Sequence, residues 1–303
     1  MELPEAISLR EVGPRDGLQN EDPVPTEAKI TLLDALATTG VQRIEAVSFV
    51  HPKAIPQMAD ASEVWQRATK RSGIRYSALV PNLKGAVRAL DAGFTELEAV
   101  VSASETHNKK NVNRTTEESL DEIAEIIDLA HNQDATVQVI VSTAWGCPYE
   151  GDVPVRRTVS VISRAIRDGA DSASFGDTTG MATPTRVRQL TGAFRDAHPE
   201  TGLNLHFHNT RGTGLANVLA ALELGVTDFD ASVGGLGGCP YAPGATGNIA
   251  TEELVAMLED MGVRTGIDID RMIEAAGEAE RIVNRTLPSQ VLRAGPRSRT
   301  IPV

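Results

Sequence analysis

Two histidines separated by one residue are the clearest chemical signal in the sequence. The segment 203–210 reads as a strand, and alternate side chains of a strand point to opposite faces. His206 and His208 therefore face one side while Leu205 and Phe207 face the other. Two imidazoles about 7 Å apart along a strand can bind one metal ion. The alternative is a pair of core histidines held by hydrogen bonds, and the spacing alone selects neither the metal nor the reaction.

A second polar motif follows the first predicted strand. The Gly13-Pro14 pair ends that strand and Gly17 permits a tight turn, so Arg15 and Asp16 are presented at its end. Asp16 can add a hard oxygen ligand to the two histidines. Arg15 offers a planar cationic fork, which suits an oxygen that gains negative charge during a reaction. The structural alternative is an Arg–Asp pair that caps a strand end.

A glycine-rich loop at 232–252 contains six glycines and two prolines between a predicted strand and a predicted helix. These residues restrict the backbone to a defined shape, and shaped loops often carry sites. Cys239 lies at the middle of this loop, and Asn248 lies just before the helix. A turn with an incidental thiol is the simpler reading.

Together these residues form a nitrogen and oxygen donor set without a thiolate. Such a set fits Mg²⁺ or Mn²⁺ acting as a Lewis acid, and zinc is less favoured. The chemistry that suits this metal, an arginine and a loop thiol passes through an enolate. Arg15 would stabilise the enolate oxygen, and Cys239 would move a proton.

The composition restricts the classes of partner. The chain has 303 residues and a formal net charge of -12, which argues against nucleic-acid and anionic-membrane partners. Two cysteines cannot make a disulfide framework and favour a reducing compartment. The first strand begins near Ile7 and no apolar run could span a bilayer, so we expect a cytoplasmic protein.

Strand-like and helix-like periods alternate along the chain. The predicted strands are Ile7–Val12, Arg43–Phe49, Arg75–Val80, Leu97–Ser102, Thr136–Ser142, Ser172–Phe175, Leu203–Phe207 and Phe229–Val233. Eight strand–helix units predict a (β/α)₈ TIM barrel, and an open doubly wound sheet ranks lower because no Gly-x-Gly-x-x-Gly turn follows the first strand. We expect a single domain over 1–285 with an extra C-terminal helix at Ile267–Asn284, and a loosely held tail over 286–303.

A barrel collects its chemistry after the carboxyl ends of its strands. The unusual polar residues of this chain fall at such positions, on or after strands one, two, six, seven and eight. They are Arg15, Asp16, Glu45, Ser48, Asp177, His206, His208, Cys239 and Asn248.

Several of these motifs together resemble those of hydroxymethylglutaryl-CoA (HMG-CoA) lyases. They are Arg10-Glu-Val-Gly-Pro-Arg-Asp-Gly-Leu-Gln-Asn-Glu, Val80-Pro-Asn-Leu-Lys-Gly, Gly146-Cys-Pro-Tyr-Glu-Gly, Gly176-Asp-Thr, His206-Phe-His and Gly235-Leu-Gly-Gly-Cys-Pro-Tyr-Ala-Pro-Gly-Ala-Thr-Gly-Asn-Ile-Ala-Thr-Glu. The resemblance runs from about Leu9 to Asn284. It implies a divalent-metal-dependent retro-Claisen cleavage of an acyl-CoA to acetyl-CoA and acetoacetate.

The resemblance also implies roles for individual residues. The metal ligands would be Asp16, His206, His208 and Asn248. The catalytic residues would be Arg15 as enolate stabiliser, Cys239 as proton carrier on a mobile lid, and Glu45 and Asp177 in less defined roles. We assign substrate binding to Arg15, Gln19, Ser48 and Lys109, and we expect an acyl-CoA partner and a homodimer.

The chain departs from the pattern of that family at four positions, namely Asp22, Ile140, Asn209 and Arg211. None is a proposed ligand, but they leave the acyl group open, so a citramalyl-like or longer branched 3-hydroxyacyl-CoA is a second substrate class. A Claisen condensing enzyme or 2-oxo acid aldolase on the same barrel is another alternative. A non-catalytic barrel that binds CoA or metal is a third.

Overall fold

The strands close into a barrel, as the alternating pattern predicts. A computed structural model describes residues 3–238 and 247–300. Within these ranges the barrel strands are β1 Ser8–Glu11, β2 Arg43–Ser48, β3 Arg75–Val80, β4 Glu96–Ser102, β5 Thr136–Ser142, β6 Ser172–Gly176, β7 Gly202–His206 and β8 Asp228–Ala231. All neighbours pair in parallel, and β1 pairs with both β2 and β8, which closes the sheet. The (β/α)₈ fold class is therefore confirmed.

Helices surround the barrel and follow its strands along the chain. They are α1 Thr26–Leu36, α2 Ala61–Arg67, α3 Leu83–Asp91, α4 Glu105–Val112, α5 Thr116–His131, α6 Val155–Arg167, α7 Pro184–Ala197, α8 Gly214–Leu222, α9 Thr251–Asp260, α10 Ile269–Val283 and α11 Gln290–Ala294. Thr115 and Glu118 form the capping box expected before α5. In the described part of the chain, no helix combines the length and the apolar character that a membrane crossing needs.

The C-terminal region packs more closely than the sequence suggests. The predicted extra helix is α10, and Asn284 ends it with a left-handed backbone at φ 49°. Within the segment predicted as a loosely held tail, Leu287 and Ser289 are buried, and Ser289 caps α11. The start of this segment is therefore attached to the barrel. The division at residue 285 stays a prediction.

The lumen of the barrel is polar beneath its mouth. Arg10 on β1 donates to both carboxylate oxygens of Asp230 on β8, at 2.8 and 2.9 Å, and pairs with Glu98 on β4. Its guanidinium also donates to Gln138 on β5 at 2.9 Å. Strands β1 and β4 are not neighbours, so these contacts cross the lumen. Buried charges are stable only when paired and hydrogen-bonded, and this network meets that requirement beneath the mouth.

Candidate active site

A single π-helical turn follows β1 and carries two of the predicted site residues. The backbone carbonyl of Val12 accepts the N–H groups of Arg15, Asp16 and Gly17 at 3.2, 2.7 and 3.1 Å. The turn lies against the loop after β8, where a Cβ on Gly17 would stand 2.8 Å from Cβ of Leu236. Only glycine allows this approach. The turn thereby holds the Arg15 and Asp16 side chains at the mouth, where both line one cavity.

Asp16, His206 and His208 converge at this mouth. Their candidate ligand atoms all lie within 4.8 Å of one another. The two imidazole rings have centroids 5.1 Å apart, while Leu205 and Phe207 are fully buried on the other side of the chain. This is the arrangement that alternation along a strand predicts. It brings a carboxylate and two imidazoles within reach of one ion.

Asn248 joins this group through a backbone bridge to His208. Its Nδ2 donates to Oδ2 of Asp16 at 2.7 Å and to the carbonyl of Leu236 at 3.1 Å. Its Oδ1 is buried and has no hydrogen-bond partner among the described residues, and the same is true of Nδ1 of His208. Unpaired buried acceptors are costly. A hard divalent cation would satisfy both atoms, so the residues present fit a metal ion.

A carboxylate that the sequence analysis did not single out orients one of the imidazoles. His206 pairs in register with Asp230, and Asp230 pairs in register with Arg10. Nδ1 of His206 lies 3.2 Å from Oδ2 of Asp230, which leaves the other ring nitrogen for a metal. Burial would raise the pKa of Asp230, but Arg10 holds it well below its usual range. The alternation along 228–231 could have revealed this inward position.

The protonation of the donors suits metal binding. Burial lowers the pKa of His208 to about 3, so this ring is neutral near pH 7. Burial alone would raise the pKa of Asp16, but the charges of Arg15, His206 and His208 lower it to about 2. Burial would lower the pKa of His206, yet its hydrogen bond to Asp230 and the charge of Asp16 raise it. A metal competes with a proton only at this last ring.

Arg15 is held between two carboxylates. Its guanidinium donates to Oδ1 of Asp16 at 2.7 Å and lies 2.6 Å from Oε2 of Glu45. Its Nε is buried without a hydrogen-bond partner in the described part of the chain. This arrangement fixes the guanidinium at the cavity and leaves one donor unused.

The cavity has a volume of about 390 Å³ and two unlike sides. The charged half consists of Arg15, Asp16, His206, His208 and Asp230, which belong to β7, β8 and the segments after β1 and β7. The apolar half consists of Leu79, Val100 and Ile140 on β3, β4 and β5. Sequence motifs predicted most of the charged half and none of the apolar half.

The remaining predicted residues divide into two groups. Gln19 and Ser48 line the cavity, and Nε2 of Gln19 donates to Asp16 at 2.9 Å. Lys109 is not among the described lining residues; it is exposed and lies 3.4 Å from Glu105. Its helix presents His107, Asn111 and Val112 to the cavity instead, and no sequence motif indicated these three residues.

Glu45 and Asp177 are buried beside the cavity and do not belong to its described lining. Glu45 reaches the site through Arg15. Oδ1 of Asp177 accepts the backbone N–H groups of Met181 and Ala182 at 2.8 and 3.0 Å, which holds the turn after β6. Burial raises the pKa of Asp177 to about 7. Cys239 lies outside the described residues.

The four departures from the resemblance differ in their position relative to this site. Arg211 donates to the carbonyls of Thr179 and Gly180 at 2.7 and 2.9 Å, and so connects the segments after β7 and β6. The amide oxygen of Asn209 accepts the backbone N–H of Gly214 at 3.1 Å. Asp22 is exposed, and Ile140 lines the cavity. Of the four positions, only Ile140 is part of the described lining.

The fold and the site define a class of protein, a TIM barrel with a candidate divalent-metal centre at the carboxyl ends of its strands. The model of the HMGL-like family matches residues 6–278, and the chain belongs to that family. It is 44% identical over 294 residues to hydroxymethylglutaryl-CoA lyase of Bacillus subtilis, covering 97% of this chain and 98% of that protein. It is 43% identical over 293 residues to the mitochondrial hydroxymethylglutaryl-CoA lyase of Gallus gallus, covering 96% and 98%.

Solved structures agree with this relationship. An HMG-CoA lyase from A. baumannii in complex with coenzyme A and 3-methylmalate superposes with a TM-score of 0.94 at 44% identity, covering 99% of this chain and 98% of that one. The B. subtilis HMG-CoA lyase gives a TM-score of 0.94, also at 44% identity, covering 96% and 98%. A carboxyl transferase domain of Rhizobium etli pyruvate carboxylase, at 16% identity, shares only the fold.

Proposed function

We propose that this protein is a divalent-metal-dependent carbon–carbon lyase that cleaves a 3-hydroxy-3-methylglutaryl-CoA-like thioester to acetyl-CoA and a 3-oxo acid such as acetoacetate. The single observation that carries the proposal is the convergence of Asp16, His206 and His208 within 4.8 Å, beside Arg15 at the mouth of the barrel. The names of the relatives support the same reaction class.

The metal would be held by Asp16, His206, His208 and Asn248. A bound divalent cation supplies Lewis-acid polarisation of substrate oxygen. The donors are hard oxygens and imidazoles without a thiolate, which favours Mg²⁺ or Mn²⁺. Asp230 fixes the ring of His206 through the 3.2 Å contact.

Arg15 would stabilise the enolate that forms on the thioester when the carbon–carbon bond breaks. Its ion pairs with Asp16 and Glu45 fix the guanidinium before substrate arrives, so the charge is already oriented when the enolate appears. Glu45 is a positioning residue in this proposal because it reaches the cavity through Arg15. We propose that Gln19 and Ser48 contact the substrate and that Cys239 returns the proton to the enolate carbon.

An acyl-CoA is the expected substrate, in keeping with the coenzyme A in the A. baumannii structure. A cytoplasmic location is in keeping with the low cysteine content.

The direct test is an assay of acetyl-CoA release from HMG-CoA with Mg²⁺ or Mn²⁺, before and after EDTA. We expect release that EDTA abolishes and added metal restores. A chain that binds Mn²⁺ but releases no acetyl-CoA from HMG-CoA or its branched homologues would refute the lyase function and favour a binding role.

A further inference from the structure

We infer that the preferred thioester carries an apolar branch larger than methyl on the carbon that bears the hydroxyl group. This inference rests on the proposed lyase function and specifies the substrate of that same site. It comes from the apolar half of the mouth, which the metal chemistry does not use.

The three residues of the apolar half form an aliphatic surface on adjacent strands. Val100 and Ile140 are register partners on β4 and β5, and Leu79 lies on β3. Leu79 and Val100 remain partly exposed although they belong to a closed barrel, because both border the cavity. Val50 and Ile55, after β2, extend the same lining. This surface is larger than a single methyl group can cover.

Gly176 leaves space open between this surface and the metal donors. It pairs in register with His206 on β7. A Cβ at this position would lie 3.6 Å from Cα of Ser142, 3.6 Å from Oγ1 of Thr178 and 3.8 Å from Cγ2 of Ile140, which are ordinary contact distances. That hydroxyl oxygen already accepts the backbone N–H of Thr143 at 3.2 Å. An alanine would therefore fit, and glycine leaves that volume unfilled. A substrate held by the charged half would direct its branch into this space.

The chemistry of the surface selects an apolar branch. Each methylene buried there improves binding roughly fourfold, whereas a hydroxyl or carboxylate would lose water without gaining a partner from aliphatic carbons. Arg15 is the one guanidinium or ammonium group in the described lining, and it is already paired with Asp16 and Glu45. A three-carbon extension of the methyl should therefore increase kcat/KM.

The branch does not alter the balance of the reaction. The hydroxyl group loses its proton and its oxygen becomes the ketone. The bond between the hydroxyl-bearing carbon and the α carbon of the thioester breaks, and its electron pair forms the thioester enolate. Protonation of the enolate carbon gives acetyl-CoA. The branch leaves on the 3-oxo acid, and no oxidant or reductant is required.

The test compares 3-hydroxy-3-butylglutaryl-CoA with HMG-CoA, using acetyl-CoA release in the presence of Mn²⁺. We expect kcat/KM for the butyl thioester to be about sixtyfold higher, because three added methylenes contribute roughly fourfold each. Gly176→Ala should lower the butyl-to-methyl ratio about tenfold by filling the space. Ile140→Phe should do the same from β5. Gly192→Ala on α7, where a Cβ meets no atom within 4 Å, is the matched control and should leave the ratio unchanged.

The outcomes separate the two proposals. If HMG-CoA is cleaved as fast as the butyl thioester or faster, the inference is wrong and the lyase function stands. If Gly176→Ala and Ile140→Phe both fold and both leave the ratio unchanged, the branch does not occupy this space and the inference is also wrong. If neither thioester yields acetyl-CoA, the lyase function fails and the inference fails with it.

Discussion

The two halves of the barrel mouth are built by different physical rules. In the charged half, Asp230 pairs with Arg10 of the neighbouring strand β1 beneath the mouth, and Arg15 lies between Asp16 and Glu45. Each buried charge there needs a partner from another strand. In the apolar half, Leu79, Val100 and Ile140 need only contact, and any aliphatic group of similar shape would satisfy them.

The two halves differ in how well they tolerate substitution. A substitution in the charged half leaves a partner unpaired in low dielectric, which costs several kcal/mol. A volume-conserving change in the apolar half costs less than about 1.5 kcal/mol. We expect catalysis to depend on the charged half and acyl preference to depend on the apolar half.

The largest expected effect comes from Arg15→Met. The change removes the proposed enolate stabiliser and leaves Asp16 and Glu45 without their shared cation. We expect kcat to fall by about 10²–10³-fold, the range for loss of an oxyanion donor. The matched control is Arg43→Met, which breaks a 2.9 Å pair with Asp228 outside the cavity lining. Equal kcat values for the two variants would remove Arg15 from the mechanism.

Asp230→Asn should weaken metal binding about 10–100-fold, because the neutral amide no longer orients His206 or balances Arg10. Isothermal titration with Mn²⁺ measures this directly. Asp228→Asn on the same strand is the control, since Asp228 contacts Arg43 rather than a histidine. An unchanged Kd for Asp230→Asn would mean that Asp230 does not orient His206 for metal binding.

Glu252→Gln tests a buried carboxylate that contacts the loop after β8. Burial raises the pKa of Glu252 from 4.5 to about 7, and the side chain accepts the backbone N–H of Gly234. A raised folded-state pKa gives stability that is complete below about pH 4.5 and lost as the pH rises through 7. Relative to the variant, the wild type should lose about 2 kcal/mol of unfolding free energy between pH 5 and pH 8, at about 1.4 kcal/mol per pKa unit.

Urea unfolding at both pH values checks this prediction. Glu274→Gln, an exposed position on α10, is the control variant. Parallel pH profiles for wild type and Glu252→Gln would show that Glu252 is ionised in the folded protein at pH 5, contrary to the account.

The smallest effect is expected for Lys109→Ala. The ammonium group lies 3.4 Å from Glu105 on the same helix and outside the described lining. Loss of such an exposed helical pair costs about 0.3–0.5 kcal/mol. We expect KM for HMG-CoA to change by less than about threefold, at the scale of one weak contact. A tenfold rise in KM would restore Lys109 to the substrate site and extend the charged half onto α4.

The sequence was informative where side chains carry unusual chemistry. His206, His208 and Asp16 were predicted to meet because strand alternation and the barrel rule both place them at one rim. Asp230 was missed because it stands in a short buried strand whose pairing partners are distant in sequence. Register with β1 and β7, visible only in the fold, gives it a role.

The apolar half could not be predicted in the same way. Leu79, Val100 and Ile140 are ordinary strand residues. Each stands two positions after a polar residue (Ser77, Glu98 or Gln138), so alternation could have placed it on the lumen face, but an aliphatic side chain does not by itself indicate a site. The substrate-binding role assigned to Lys109 stays a prediction, since the side chain lies on α4 beside Glu105 and outside the described lining.

Mn²⁺ binding to the wild type and to Asp16→Asn, followed by electron paramagnetic resonance, tests the central claim most directly. The account predicts one tightly bound Mn²⁺ per chain and a Kd at least about tenfold weaker in the variant, because the amide removes the anionic ligand. Equal binding by the two proteins, or no bound Mn²⁺ in the wild type, would contradict a metal centre in the charged half.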